Sequence, residues 1–195
     1  GIANGDFTFT NCDAGTFSVQ TANTVFHQVC TPDTNGETIT VAVAASVGTD
    51  PAGNNNAVAT DFTFTYDSAA PTIGNMVITG ATSGGYGTAA TYQVTAVPGE
   101  TLASAPTLTV TGGSVTTAGA ASGGNWVYTI TPTDNDEVMQ VVIAAGDATD
   151  SAGNTNTAAY NYGTWTHDRT APTITTVAVA GATEDGYGVA STYVV

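Results

Sequence analysis

The chain has 195 residues, and a hydrophobic share of 42% is enough to build a buried core rather than a disordered tail. Sixteen Asp and Glu residues stand against one cation, Arg169, and no lysine, giving a net charge of −15. Such a surface cannot neutralise phosphates, which excludes nucleic acid and anionic membrane as partners, and no run approaches the roughly 18 apolar residues of a membrane-spanning helix.

In chain order, the first elements are alternating ones. Phe7 and Phe9 alternate with Thr8 and Thr10, and further on Phe62 and Phe64 alternate with Thr63 and Thr65. Between them lie Phe26, Gln28 and Cys30 at one spacing of two. Strands are then predicted over 72–79, 91–97, 107–111, 125–131, 138–145 and 157–166. They are separated by Gly84-Gly85, Pro98-Gly99, Gly112-Gly113, Gly123-Gly124, Asp134-Asn135-Asp136 and Ala152-Gly153-Asn154, all turn chemistry. Trp126, Tyr128 and Ile130 alternate and are expected to face a core.

The sequence repeats itself. Ala70-Pro71-Thr72-Ile73 returns at Ala171-Pro172-Thr173-Ile174, an offset of 101, and Gly80-Ala81-Thr82, Gly85-Tyr86-Gly87 and Thr91-Tyr92 return in the same frame. At offset 100, Thr49-Asp50-Pro51-Ala52-Gly53-Asn54 answers Thr149-Asp150-Ser151-Ala152-Gly153-Asn154, Pro32 answers Pro132, and Phe26 answers Trp126. A unit of about one hundred residues with six or seven short strands is an immunoglobulin-like β-sandwich by size and strand count. The fold class is therefore all-β, with tandem immunoglobulin-like domains. Cys30 takes the place of Ile130, and a Cys12–Cys30 disulfide would staple neighbouring strands in an oxidising, extracellular compartment. Two unpaired thiols are the alternative.

On this division residues 1–69 are the later two thirds of one unit, 70–170 a complete unit, and 171–195 the opening strands of a further one. The two partial pieces complement each other, lacking only a loop like residues 95–100. An incomplete sandwich exposes an apolar edge that another strand must cover. The expected partner is another copy of the chain, in a head-to-tail homopolymer built by strand addition, with an interface drawn from Phe7, Phe9, Ile174, Val177, Val179, Tyr193 and Val195. The alternative is a window on a longer repeat protein, with any targeting segment removed or outside the chain.

Calcium takes six to eight oxygens and is the cofactor this composition suits. The candidate ligands are Asp67 and Asp168 at the unit junctions, Asp50 and Asp150 in the repeated turn, and Asp147. Each could instead shape an Asx-turn, and Asp134-Asn135-Asp136-Glu137 reads as a solvated hairpin tip. His27 and His167 are the only histidines and no nucleophile or metalloprotease pattern accompanies them, so an enzyme is not expected. His167-Asp168-Arg169 reads as linker. Gly85-Tyr86-Gly87 reads as a tight turn with an aromatic anchor. Lysine isopeptide cross-links and Asn-x-Ser/Thr sequons are absent. A Thr-rich sheet face could bind a glycan or ice, although Thr is also an ordinary outward residue of a strand.

The junctions Asp67-Ser68-Ala69-Ala70-Pro71-Thr72-Ile73 and Asp168-Arg169-Thr170-Ala171-Pro172-Thr173-Ile174, with Pro106 to Thr109, the Asp134 to Asp136 turn and Asp-x-Ala-Gly-Asn, resemble the bacterial immunoglobulin-like repeats of large secreted adhesins and surface or filament proteins. The resemblance implies a structural spacer outside the cell, often calcium-bound. The first unit departs from it with Thr34-Asn35-Gly36 where the second has Asp134-Asn135-Asp136.

Overall fold

The computed structural model describes residues 1–21, 24–188, 190 and 194. Apart from a 3-10 turn at Asn4–Asp6, its regular elements are all strands: β1 (Phe7–Thr10), β2 (Cys12–Thr21), β3 (Val25–Pro32), β4 (Thr38–Val43), β5 (Phe62–Thr65), β6 (Ile73–Thr79), β7 (Tyr86–Gly87), β8 (Tyr92–Pro98), β9 (Thr109–Thr111), β10 (Gly113–Ser122), β11 (Asn125–Pro132), β12 (Glu137–Ile143) and β13 (Tyr160–His167). The chain is all-β.

Residues 70–170 carry two four-stranded sheets, ordered β10-β11-β8-β6 and β7-β13-β12-β9. Period-two alternation sends one face of each sheet inward. From the first sheet come Met76, Ile78, Tyr92, Val94, Ala96, Tyr128 and Ile130, and from the second Met139, Val141, Ile143 and Trp165, all in one buried cluster. The core lies between two facing sheets, the arrangement of a β-sandwich. Tyr92 sits near its centre, edge-on to Trp165 at 5.5 Å. Trp126, expected in the core, packs on its margin.

Two glycines mark close approaches. A Cβ on Gly87 would stand 2.5 Å from the Tyr92 hydroxyl, and one on Gly113 would meet the Thr131 carbonyl oxygen at 2.6 Å. A side chain at either position would force the packed neighbours apart.

The expected strands are present with their ends shifted by one to three residues; the last begins at Tyr160 rather than 157. Four expectations need correction. Residues 113–122, where the sequence pattern predicts no strand, form the ten-residue edge strand β10, most of whose residues are exposed. Its Ala, Gly, Ser and Thr side chains give no apolar alternation, and two register shifts against β11 break the period further. The Gly85-Tyr86-Gly87 element is not anchored by its aromatic ring: Tyr86 is 71% exposed, and Tyr86–Gly87 pairs in parallel with β13. His167 is not linker but the buried last residue of β13, with Nδ1 2.7 Å from the Tyr92 hydroxyl. The turn Asp134-Asn135-Asp136 is exposed, as expected of a tip, and Glu137 after it is the half-buried first residue of β12, yet the turn passes from β11 in one sheet to β12 in the other and so is not a hairpin.

Asn156 is buried and spends its carboxamide on the backbone. Its Oδ1 accepts from Ala148 N, and its Nδ2 donates to the carbonyls of Ala144 and Ala158, each at 2.8 Å. Asn56 makes the same set with Gly48, Ala44 and Ala57. Replacing Asn156 by Ala removes the partner of three backbone groups, of which that of Ala148 is buried and that of Ala158 can turn to water, so denaturant unfolding should show a loss of about 1–3 kcal/mol, the cost of a buried unpaired group.

Candidate assembly surface

In residues 1–69 the strands make two small sheets, β1-β4-β5 and β2-β3. A two-stranded sheet is marginal by itself. Here a Cys12–Cys30 disulfide, with Cα atoms 5.7 Å apart, ties β2 to β3. Such a closure adds about 3 kcal/mol for a loop of this length and belongs to an oxidising environment. Register shows what it replaces: Cys12 lies opposite Pro32 and Ala14 opposite Cys30, as Gly113 lies opposite Pro132 and Val115 opposite Ile130. Where the later repeat packs a glycine and an isoleucine, the earlier one has a covalent bond.

The β1-β4-β5 sheet has two unlike faces. Directly paired residues point the same way, so Phe7 with Val43, Phe9 with Val41 and Phe62, and Ile39 with Phe64 make one apolar face. Thr10, Thr40 and Thr63 share the other with Thr8, Thr38 and Thr65, a Thr array interrupted by Ala42 opposite Thr8. Phe17 stacks on Phe26 at a ring separation of 6.1 Å and meets Phe7 at 6.2 Å with the rings tilted, a contact that joins the two small sheets. Phe7 and Phe9 are half-buried. The rest of the face is open: Phe62 is 67% and Phe64 41% exposed, whereas Trp165, the counterpart of Phe64 in pairing register, is 1% exposed. Among the described residues, only Cys12 and Ile39 are buried hydrophobics in 1–69, against fifteen in 70–170.

The two repeats differ in the strands they carry. In the later one, β8 pairs with the free side of β11, β6 pairs with β8, and β7 pairs with β13. Among the described residues, β3 has only β2 as a strand partner and β5 only β4. The sequence counterparts of β6, β7 and β8 lie in 174–195. There Ile174 is 87% and Val177 68% exposed, and Val179 is half-buried, although their counterparts include the buried Met76 and Ile78. Tyr193 and Val195 lie outside the described residues. The segment keeps traces of its register: Ala180 N donates to Val194 O at 3.0 Å, in the place of the Thr79–Gln93 pair. Gly186 N donates to Thr183 O as Gly85 N does to Thr82 O.

No family model, curated protein or solved structure matches the chain.

Of the five aspartates considered for calcium, only Asp67 and Asp150 come together, joined by Glu100, with one carboxylate oxygen of each within 4.8 Å of the others. Glu100 precedes Asp150 by half a repeat, so nothing in the local sequence pairs them; the backbone bridge between Leu102 and Asp150 does. Asp150 is buried, 2% exposed. Its Oδ1 accepts from the backbone N–H groups of Ala152, Gly153 and Asn154, and its Oδ2 from the Asn154 side chain. Burial works against its charge, yet the hydrogen bonds from Asn154, Gly153 and Ala152 outweigh it and hold the carboxyl below the ordinary value. Asp50, in the exposed twin of this turn, is lowered chiefly by the Asn54 carboxamide. Asp168 and Asp67 each shape the turn before a proline, accepting from Thr170 N at 2.8 Å and Ala69 N at 3.0 Å. Asp147 accepts from Ala144 N at 3.2 Å.

Asn35 and Asn135 hold the linkers, a role that composition does not single out. Asn35 Oδ1 accepts from Ser68 N at 2.5 Å, and Asn135 Oδ1 accepts from Arg169 N at 2.5 Å while its Nδ2 donates to the Thr170 hydroxyl. Each clasps the linker leaving its own repeat. The signal that could have found them is their recurrence at offset 100 inside otherwise dissimilar turns. His27 is exposed on β3, far in sequence from the buried His167, and no nucleophile is hydrogen-bonded to either among the described contacts beyond the Tyr92 hydroxyl.

Proposed function

We propose that this protein is a structural subunit of an extracellular filament, built of immunoglobulin-like units and assembled head to tail, in which residues 174–195 of one copy complete the open first repeat of the next. One observation carries this reading: an apolar sheet face of 1–69 is left open in a chain whose residues 174–188 correspond in sequence to strands that cover that face in the other repeat, with Ile174 and Val177 exposed. A contact between unlike ends of the subunit does not close on itself, so fibres follow from its symmetry. The disulfide supports a place outside the cell. Sedimentation and electron microscopy of the full chain should show long assemblies; a chain that stays monomeric at high concentration overturns the reading.

Calcium enters this reading at the junction between the first and second repeats. The carboxylates of Asp67, Glu100 and Asp150 are hard oxygen donors of the kind the ion takes, and they would hold it there, tying the linker to the second repeat. A ligand bound only by the native state raises its stability, by about 2.7 kcal/mol at a hundredfold excess over Kd. Chelation should therefore lower the thermal midpoint by several degrees, and an unchanged midpoint sinks the ion.

A further inference from the structure

The strand exchange proposed above leaves open how one subunit is oriented on the next. In the second repeat, the turn Asp150–Asn154 receives the incoming linker: Asn154 Nδ2 donates to the carbonyl oxygen of Asp67 at 3.2 Å, across 87 residues of sequence. Contact with the linker is matched by burial. Asp150 and Leu102 are buried, Asn154 is half-buried, and Pro71 of the linker is fully buried.

The first repeat has the same turn, already formed. Asp50 Oδ1 accepts from Ala52 N at 2.9 Å and Asn54 N at 2.8 Å, and Asn54 Nδ2 donates to Asp50 Oδ2 at 2.9 Å. Yet Asp50 and Asn54 are exposed. In front of them lies a cavity of about 590 Å³ whose walls include Ile2, Phe26, Asp50, Pro51, Asn54 and Asn55. Ile2, Phe26, Asp50 and Asn54 are the counterparts of Leu102, Trp126, Asp150 and Asn154.

We propose that this cavity is the receptor for the linker Asp168–Pro172 of a second copy, with Asn54 donating to the Asp168 carbonyl as Asn154 does to that of Asp67. The ligand is ready-made too. Asp168 shapes its own turn through Thr170 N, as Asp67 does through Ala69 N, and Pro172 is exposed where Pro71 is buried. Two preformed halves lose little conformational freedom on meeting. The contact would give the joint between subunits the geometry of the joint inside a subunit, so the filament would have one repeat along its length. This inference rests on the strand-exchange reading, since the linker reaches the cavity only if the hairpin behind it occupies the first repeat.

Hydrogen exchange on the wild-type chain, as monomer and as assembly, tests it. Amides of residues 48–56 should slow by about tenfold or more on assembly, together with those of β3. In parallel, Asn55→Trp, which fills the mouth of the cavity from an exposed position, should raise the concentration needed for assembly at least about tenfold while monomer unfolding stays unchanged. If β3 gains protection and residues 48–56 do not, or if Asn55→Trp assembles like wild type, the linker site is overturned and strand exchange stands. Failure of the wild-type chain to assemble overturns both.

Discussion

A chain shortened to end at Thr170 is expected to remain monomeric at concentrations where the full chain forms long assemblies, and a peptide of residues 171–195 added in trans should bind it one to one. The argument is one of uncovered area. Ile174, Val177 and Val179 have counterparts in Ile73, Met76 and Ile78 that pack on or within the second repeat's core. Burying three such side chains yields about 1.5–3 kcal/mol each, a gross gain of roughly 5–9 kcal/mol before the ordering of the segment is subtracted. Even a net gain of about 3 kcal/mol is a hundredfold in association constant. The shortened chain keeps every residue of the second repeat's buried cluster, so its main unfolding transition should be that of the full chain. Light scattering, sedimentation and peptide titration check the three statements. A shortened chain that assembles as readily as the full one removes 171–195 from the interface.

Much of this architecture is legible in the sequence because the repeat carries its own register. Pairs such as Cys12–Pro32 and Gly113–Pro132 occupy matching places in the two halves, and so the same alternation that marks Tyr128 and Ile130 as core positions marks Gln28 and Cys30. Long alternating segments such as Glu137–Ile143 declare themselves, since Met139, Val141 and Ile143 are large, apolar and two apart. What escapes is structure made by small or polar side chains. The strand β10 carries no periodic signal because its residues bury little, and its place at the sheet edge is fixed by β11 rather than by its own composition. His167 resembles a charged linker next to Asp168 and Arg169, but Tyr92, 75 residues earlier, supplies the partner that lets it be buried. The site divides in the same way. The correspondence of 171–195 with the strands from Ile73 to Pro98 follows from the repeat's register, whereas the meeting of Glu100 with Asp67 and Asp150, and the clasp by Asn35 and Asn135, depend on loops brought together only by the folded sheets.

Trp165 and Phe64 offer a sharper comparison, because the two residues hold one place in the repeat and differ in whether that place is covered. Trp165→Ala should cost about 3–5 kcal/mol in denaturant unfolding of the chain in any state of assembly, the usual loss for emptying a large buried aromatic site. It removes the edge-on contacts to Tyr92 and Tyr162 at 5.5 and 6.1 Å and opens a void among Tyr92, Met139 and their neighbours, which a rigid core does not close. Phe64→Ala in the monomer should cost under about 1 kcal/mol, since its ring is already partly in water and its cross-strand partner Ile39 is buried by other residues as well. In the assembled state the ordering changes. If residues 174–195 of another copy roof the first repeat, Phe64 becomes as enclosed as Trp165, and Phe64→Ala should raise the concentration required for assembly by about tenfold or more, a loss of some 1.4 kcal/mol per interface. A Phe64→Ala chain that is nearly unaltered as a monomer yet assembles poorly locates the interface on the apolar side of β1-β4-β5. Unaltered assembly would place it elsewhere, since emptying a phenyl site as enclosed as that of Trp165 costs about 3–5 kcal/mol.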